Sequence, residues 1–258
     1  QHHPLWSSSH HPSCSPSPDT RPILVQVTSP LLSTDLSTKG KGMRENNMTW
    51  NMILFGDSDI SRWPSSLYPC SSLMHSNVSN YGKSGAELAD ISHQINQWEI
   101  DNDNTAANNY WFVCCAGEND IGSGRSVDQI LDTFRAILDN LFPLNDSKQK
   151  CPSNNSKMIF LGPKFEPWLM HDNASRKQYT KLNNGLKRAI HKHHACNQIL
   201  YIECLTLFCT EETATVPGAV FGGRAMPDIK YFDADGLHLN EMGYGVWKQM
   251  VEEKITER

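Results

Sequence analysis

The sequence predicts a three-layer α/β/α domain built on a central parallel sheet of about five strands. Two observations carry that expectation. From Trp50 onward, short apolar runs alternate with stretches of helical periodicity, the pattern of successive βαβ units. Right-handed crossovers between parallel strands then place helices on both faces of the sheet.

The elements follow in order. Residues 51–55 (NMILF) read as a first strand and residues 76–80 as a second, weaker one. Residues 86–98 form a helix with Leu88, Ile91 and Ile95 on one face, and 110–115 (YWFVCC) a buried central strand. A helix over 127–141 turns Ile130, Leu131, Phe134 and Leu138 inward, and 157–161 (KMIFL) make a further strand. A long helix over 174–193 carries Tyr179, Leu182, Leu186 and Ile190; a fifth strand at 198–202 and a closing helix at 241–255 complete the domain. Residues 1–48 are rich in Ser, Pro, His and Thr, and six prolines between Pro4 and Pro30 exclude a regular helix. That stretch reads as a disordered tail, with Ile23-Leu24-Val25 as an alternative edge strand. The domain proper is therefore 49–258.

Composition narrows the function. A formal charge of −5 and a pI near 6.1 provide no long-range attraction for nucleic acid or an anionic membrane. No apolar run approaches the roughly 18–20 residues of a transmembrane helix. The chain begins at Gln1 rather than Met, as expected of a processed chain or a fragment, a lost signal peptide being one alternative. Its eight cysteines include no C-x-x-C pair, and Cys114 and Cys115, adjacent in an apolar strand, are expected to pack in different layers. Five N-x-S/T sequons begin at Asn47, Asn77, Asn145, Asn154 and Asn173, where about three would arise by chance, so the lean toward a secretory or extracellular location is slight.

Four segments carry candidate chemistry. Gly56-Asp57-Ser58-Asp59 follows the first strand, where a serine on a strand-to-helix turn presents its hydroxyl near a helix N-terminus that favours developing negative charge. Asn80-Tyr81-Gly82-Lys83-Ser84-Gly85 follows the second, with glycines that let a backbone N–H approach a ligand. Gly117-Glu118-Asn119-Asp120 follows the most apolar strand, and an Asn carboxamide there can donate to an oxyanion. Asp235-Gly236-Leu237-His238 precedes the last helix, with a carboxylate placed to orient an imidazole through Nδ1 while Nε2 takes a proton from serine. Alone, each segment is better read as an ordinary loop. Together, and in that order, they describe a nucleophile, oxyanion donors, and an acid–base pair.

These segments, FGDSDI, NYGKSG, GEND and DGLH, resemble the characteristic blocks of the SGNH (GDSL-like) hydrolases. The resemblance runs from about Asn51 to the C-terminus. AGENDIGSGRSVDQILDTF, DADGLHLNEMGYGVW, the Arg62-Trp63 pair and the Lys164 to Trp168 stretch resemble the small bacterial-type esterase/lipase branch. The resemblance implies a flavodoxin-like sheet and a serine esterase without metal or other cofactor. Ser58 would be the nucleophile, with Asp235 and His238 completing the triad. The backbone N–H groups of Ser58 and Gly85 and the Asn119 side chain would form the oxyanion hole. Asp59 departs from the pattern, since many members have an apolar residue there; it either perturbs the local potential or caps the next helix.

The expected substrate is a small-molecule ester, an acyl lipid or an acylated carbohydrate, with short acyl groups favoured. A thioesterase or lysophospholipase with a longer acyl pocket is the alternative, and a binding protein on the same fold without catalysis is a third reading. Trp63 and Trp168 either line the substrate pocket or pack in the body. The cluster His191-Lys192-His193-His194 reads as a solvated helix end rather than a metal site. Glu118 and Asp120 read as groups that fix a loop. The long loop 206–232, with Gly218, Gly222 and Gly223, is equally a lid or a surface insertion.

Overall fold

The computed structural model describes residues 50–69, 77–101, 109–144, 156–211 and 225–258. The expected tail at 1–48 lies outside them, as do Asn47, Asn145, Asn154, Cys14, Cys70, Cys151 and the 212–224 part of the long loop.

Five parallel strands form the main sheet: β1 (Trp50–Gly56), β2 (Val78–Asn80), β3 (Asn109–Cys115), β4 (Lys157–Leu161) and β5 (Ile199–Ile202), in the order β2-β1-β3-β4-β5. The helices are α1 (Ser58–Arg62), α2 (Leu88–Asp101), α3 (Glu118–Gly122), α4 (Val127–Leu141), α5 (Asn173–Lys192) and α6 (Glu241–Thr256). None among the described residues is long and apolar enough to cross a membrane.

The register explains why strands so uniformly apolar are needed. Ile53, Phe112, Met158 and Ile199 line up across the sheet on one face, and Leu54, Val113, Ile159 and Leu200 on the other. The first row packs beneath α2, α4 and α5, through Ile91, Ile95, Phe134 and Leu186 among others. The second packs against α1 and α6, through Ile60, Trp247 and Val251. Because successive strand residues point to opposite faces, Cys114 joins the first core and Cys115 the second.

Helix starts are fixed locally. Ser126 and Gln129 close a reciprocal capping box on α4. Asp172 caps α5, and Asn240 caps α6.

Two features depart from the expected layout. Glu118–Gly122 is a short helix rather than an open loop. The 206–232 segment contains a two-stranded antiparallel ribbon, β6 (Cys209–Glu211) paired with β7 (Ala225–Pro227). Each is too short to show a hydrophobic repeat in the sequence.

The strand order positions the site. After β1 the chain pairs β2 on one side and β3 on the other, so the loops leaving β1 and β3 diverge at their carboxyl ends. The crevice between them is where sheets of this order bind ligands.

Candidate active site

Ser58 is the first residue of α1, directly after β1. Asp57 caps the helix by accepting the N–H of Asp59 at 3.0 Å. Of the two roles open to Asp59, the helix cap therefore belongs to Asp57. The turn is held from behind by Gln94 of α2, whose buried carboxamide accepts the N–H of Gly56 and donates to its carbonyl, both at 2.8 Å. Ser58 opens the helix, where backbone N–H groups have no preceding carbonyl to pair with.

Asp235 and His238 arrive from the loop before α6. The Ser58 hydroxyl lies 3.0 Å from His238 Nε2, and His238 Nδ1 lies 2.6 Å from Asp235 Oδ2. Asp235 Oδ1 accepts the N–H groups of Leu237 and His238. This side-chain bond to His238, with the two backbone donors, holds the Asp235 carboxyl well below the usual carboxylate range. A carboxylate facing Nδ1 fixes the tautomer with its proton there, leaving Nε2 as the acceptor for the serine proton.

The other expected oxyanion donors belong to the loop after β2 and to α3. Gly82 passes so close to α1 that a Cβ would lie 2.4 Å from the backbone nitrogen of Ser61. Gly85, three residues on, has φ of +74° and no atom within 4 Å of where a Cβ would lie. The loop is tied down by Asn80, whose Nδ2 donates to the Ile60 carbonyl and whose Oδ1 accepts the Gly82 N–H. Asn119 donates one carboxamide hydrogen to the Ala86 carbonyl at 3.0 Å, leaving a second. Asp120, fully buried, accepts the N–H of Leu88 at the start of α2. Burial raises its carboxyl above the usual range. Its part is to join these two loops.

The two tryptophans separate. Trp63 is 2% exposed, stacks on Tyr244, packs against Trp247 and donates its indole N–H to the Leu67 carbonyl. It is a core residue, not a pocket wall, because its polar atom is satisfied locally and its ring fills the gap between α1 and α6. Trp168 is 48% exposed, with its indole N–H held by Glu166. Its neighbour Pro167 packs against Gly236, inside the acid–base loop.

Sequence reasoning missed a buried charge cluster beneath the site. Lys164, in the loop after β4, places its ammonium 2.6 Å from Asp59, 2.7 Å from Glu166 and 2.9 Å from Glu118. Burial alone would push this ammonium down, but the three carboxylates outweigh it and hold it well above the ordinary lysine range. Burial pushes the Glu166 carboxyl well up, Lys164 pulls against that, and Glu118 adds to the rise. Asp57 is raised by burial and then by the charges of Asp59 and Glu118. The available signal was a lysine three residues after an apolar strand, where a buried charge must find partners.

Among the described residues, two groups of side chains have the spacing of metal ligands. Asp59, Glu118 and Glu166 converge, but Lys164 occupies their centre. Asp139, His193 and His194 also converge. His193 Nδ1 accepts the N–H of Ala195, which leaves Nε2 to carry the proton it directs at Asp139, so that nitrogen lacks the free lone pair a metal requires.

No family model matches the chain, and no curated protein matches it. Solved structures do. A member of the lipolytic protein G-D-S-L family from Veillonella parvula is 21% identical with a TM-score of 0.53, over 81% of this chain and all of that one. A GDSL-like lipase from Bacteroides thetaiotaomicron is 15% identical with a TM-score of 0.53, over 80% and 88% of the two chains. An alpha/beta hydrolase enzyme from the metagenome of Lake Arreo is 14% identical with a TM-score of 0.52, over 80% and 95%. At these identities the likeness establishes the fold.

Proposed function

The chain has the three-layer α/β/α fold of the GDSL-like lipase structures, and on that premise we propose that it is a serine hydrolase cleaving carboxylic esters through an acyl-enzyme on Ser58. One observation carries the reading: the unbroken relay Ser58 Oγ–His238 Nε2 and His238 Nδ1–Asp235 Oδ2 at the carboxyl edge of β1. A hydrogen bond from serine to imidazole, with the imidazole oriented by a carboxylate, is the arrangement that activates a weak nucleophile.

The chemistry follows from the geometry. Ser58 Oγ attacks the acyl carbonyl carbon while His238 Nε2 takes the hydroxyl proton. The carbonyl oxygen gains negative charge facing the N–H groups of Ser58 and Gly85 and the second Asn119 hydrogen. His238 then gives its proton to the leaving alkoxide, the alcohol departs, and water repeats the sequence on the acyl-enzyme. Asp235 stays ionised throughout and stabilises the imidazolium.

The substrate is a small-molecule ester with a short acyl group. Leu237 in the acid–base loop and Trp168, whose neighbour Pro167 packs on that loop, are both exposed and offer apolar surface. Hydrolysis of a p-nitrophenyl ester series from acetate to palmitate tests the reading. Turnover highest on the shortest esters and abolished in Ser58→Ala supports it. Turnover unchanged in that variant removes it, and a maximum at long chains moves the substrate class to long-chain acyl esters.

A further inference from the structure

We propose that Lys164 is the positioning residue of this centre, a buried ammonium that holds the nucleophile helix, the oxyanion helix and the exposed tryptophan in one arrangement. The proposal rests on the reading of Ser58 and His238 as nucleophile and base.

The contacts are specific. Asp59 directly follows Ser58 in α1, Glu118 directly precedes Asn119 in α3, and Glu166 holds the indole of Trp168. One ammonium, 1% exposed, bonds all three carboxylates, using its three donors fully. Its own backbone N–H is also accepted by Glu118, at 2.7 Å. Asp59 extends the network to the fourth segment: its Oδ1 accepts the N–H of Leu239, the residue after His238, at 3.4 Å. Tyr244 of α6 donates to the Asp59 carbonyl at 2.9 Å. The segments that carry Ser58, Asn119, His238 and Trp168 thus share a single charged node, although they come from distant parts of the chain.

Electrostatic attraction at close range explains why the node is a lysine. Three buried carboxylates brought together without a cation would repel one another or take up protons, and the loops would separate. The ammonium reverses that repulsion. At 1% exposure it is screened from a substrate by the residues around it, and it acts through those it holds.

The test uses Lys164→Met and Asp59→Asn in the full chain, with two readouts. For p-nitrophenyl acetate, displacement of the catalytic loops by about 1 Å lowers kcat on the order of 10²-fold, with KM changed less than about threefold. Amide hydrogen exchange at Leu239 accelerates in both variants, while exchange within α4 and α5 stays at the wild-type rate. The double variant loses no more kcat than Lys164→Met alone, because both substitutions break the same contact. A folded Lys164→Met with wild-type kcat and wild-type exchange at Leu239 overturns the proposal. So does acceleration spread evenly over α4 and α5, which marks a general loss of stability. If Lys164→Met does not fold, Asp59→Asn with Glu166→Gln carries both readouts, since each preserves side-chain shape. A wild-type chain without esterase activity refutes the hydrolase reading instead, and the exchange experiment still decides whether the ammonium fixes the loop.

Discussion

Asp235 holds His238 twice: its Oδ2 lies 2.6 Å from the imidazole Nδ1, and its Oδ1 accepts the backbone N–H of the same histidine at 3.0 Å. The carboxylate therefore sets both the orientation of the ring and the course of the loop that presents it. Arg62, 3.7 Å away and half exposed, is a weaker partner. Replacing Asp235 by Asn keeps the shape but presents a donor to Nδ1, which favours the wrong tautomer. Asp235→Asn should lower kcat on the order of 10³–10⁴-fold with little change in KM, measured on p-nitrophenyl acetate.

Asn119 supplies the one side-chain donor among the expected oxyanion groups. Asn119→Ala should reduce kcat by about 10²–10³-fold. It also removes the bond to the Ala86 carbonyl, so the thermal midpoint should be read alongside the rate. A loss of rate with a nearly constant midpoint assigns the effect to the transition state.

Trp63 and Trp168 should respond in opposite ways. Trp63→Ala empties a site among Tyr244 and Trp247 and should cost about 3–5 kcal/mol of stability. Trp168→Ala, at an exposed ring, should change stability by about 0.5 kcal/mol or less and alter KM across an ester chain-length series. Denaturant unfolding and steady-state kinetics on both variants separate the two roles.

Burial raises the Asp57 carboxyl above its unfolded value, which fixes the sign of a stability prediction. A raised folded pKa means that stability is lost as pH rises from the unfolded value of about 3.9 through the folded one. Asp57→Asn keeps an acceptor for the Asp59 N–H and removes the buried charge. Its thermal midpoint should exceed the wild type at neutral pH by about 2–4 °C or more, and the difference should close in acid. Parallel midpoint curves over the whole pH range contradict this.

The long periodic elements were legible because repetition reveals them. The helix over 127–141 and the strand over 157–161 have the bounds that their apolar spacing predicts. α1 and α3, at five residues each, contain no repeat to read. The Ser58, Asp235 and His238 grouping was legible as an ordered set of loops, although no single loop announced it. Lys164 was not, because its partners Asp59, Glu118 and Glu166 converge only when β1, β3 and β4 lie side by side. The place of Trp63 was equally hidden, since a tryptophan at the end of a one-turn helix carries no mark of the direction it faces.

An activated Ser58 reacts with a phosphorus electrophile, so the full chain is treated with a fluorophosphonate and the adduct mapped by peptide mass spectrometry. A single phosphonyl group on Ser58 is expected, formed in the wild type and lost in both Ser58→Ala and His238→Ala. An unlabelled wild type, or an adduct that persists when Ser58 is replaced, contradicts it.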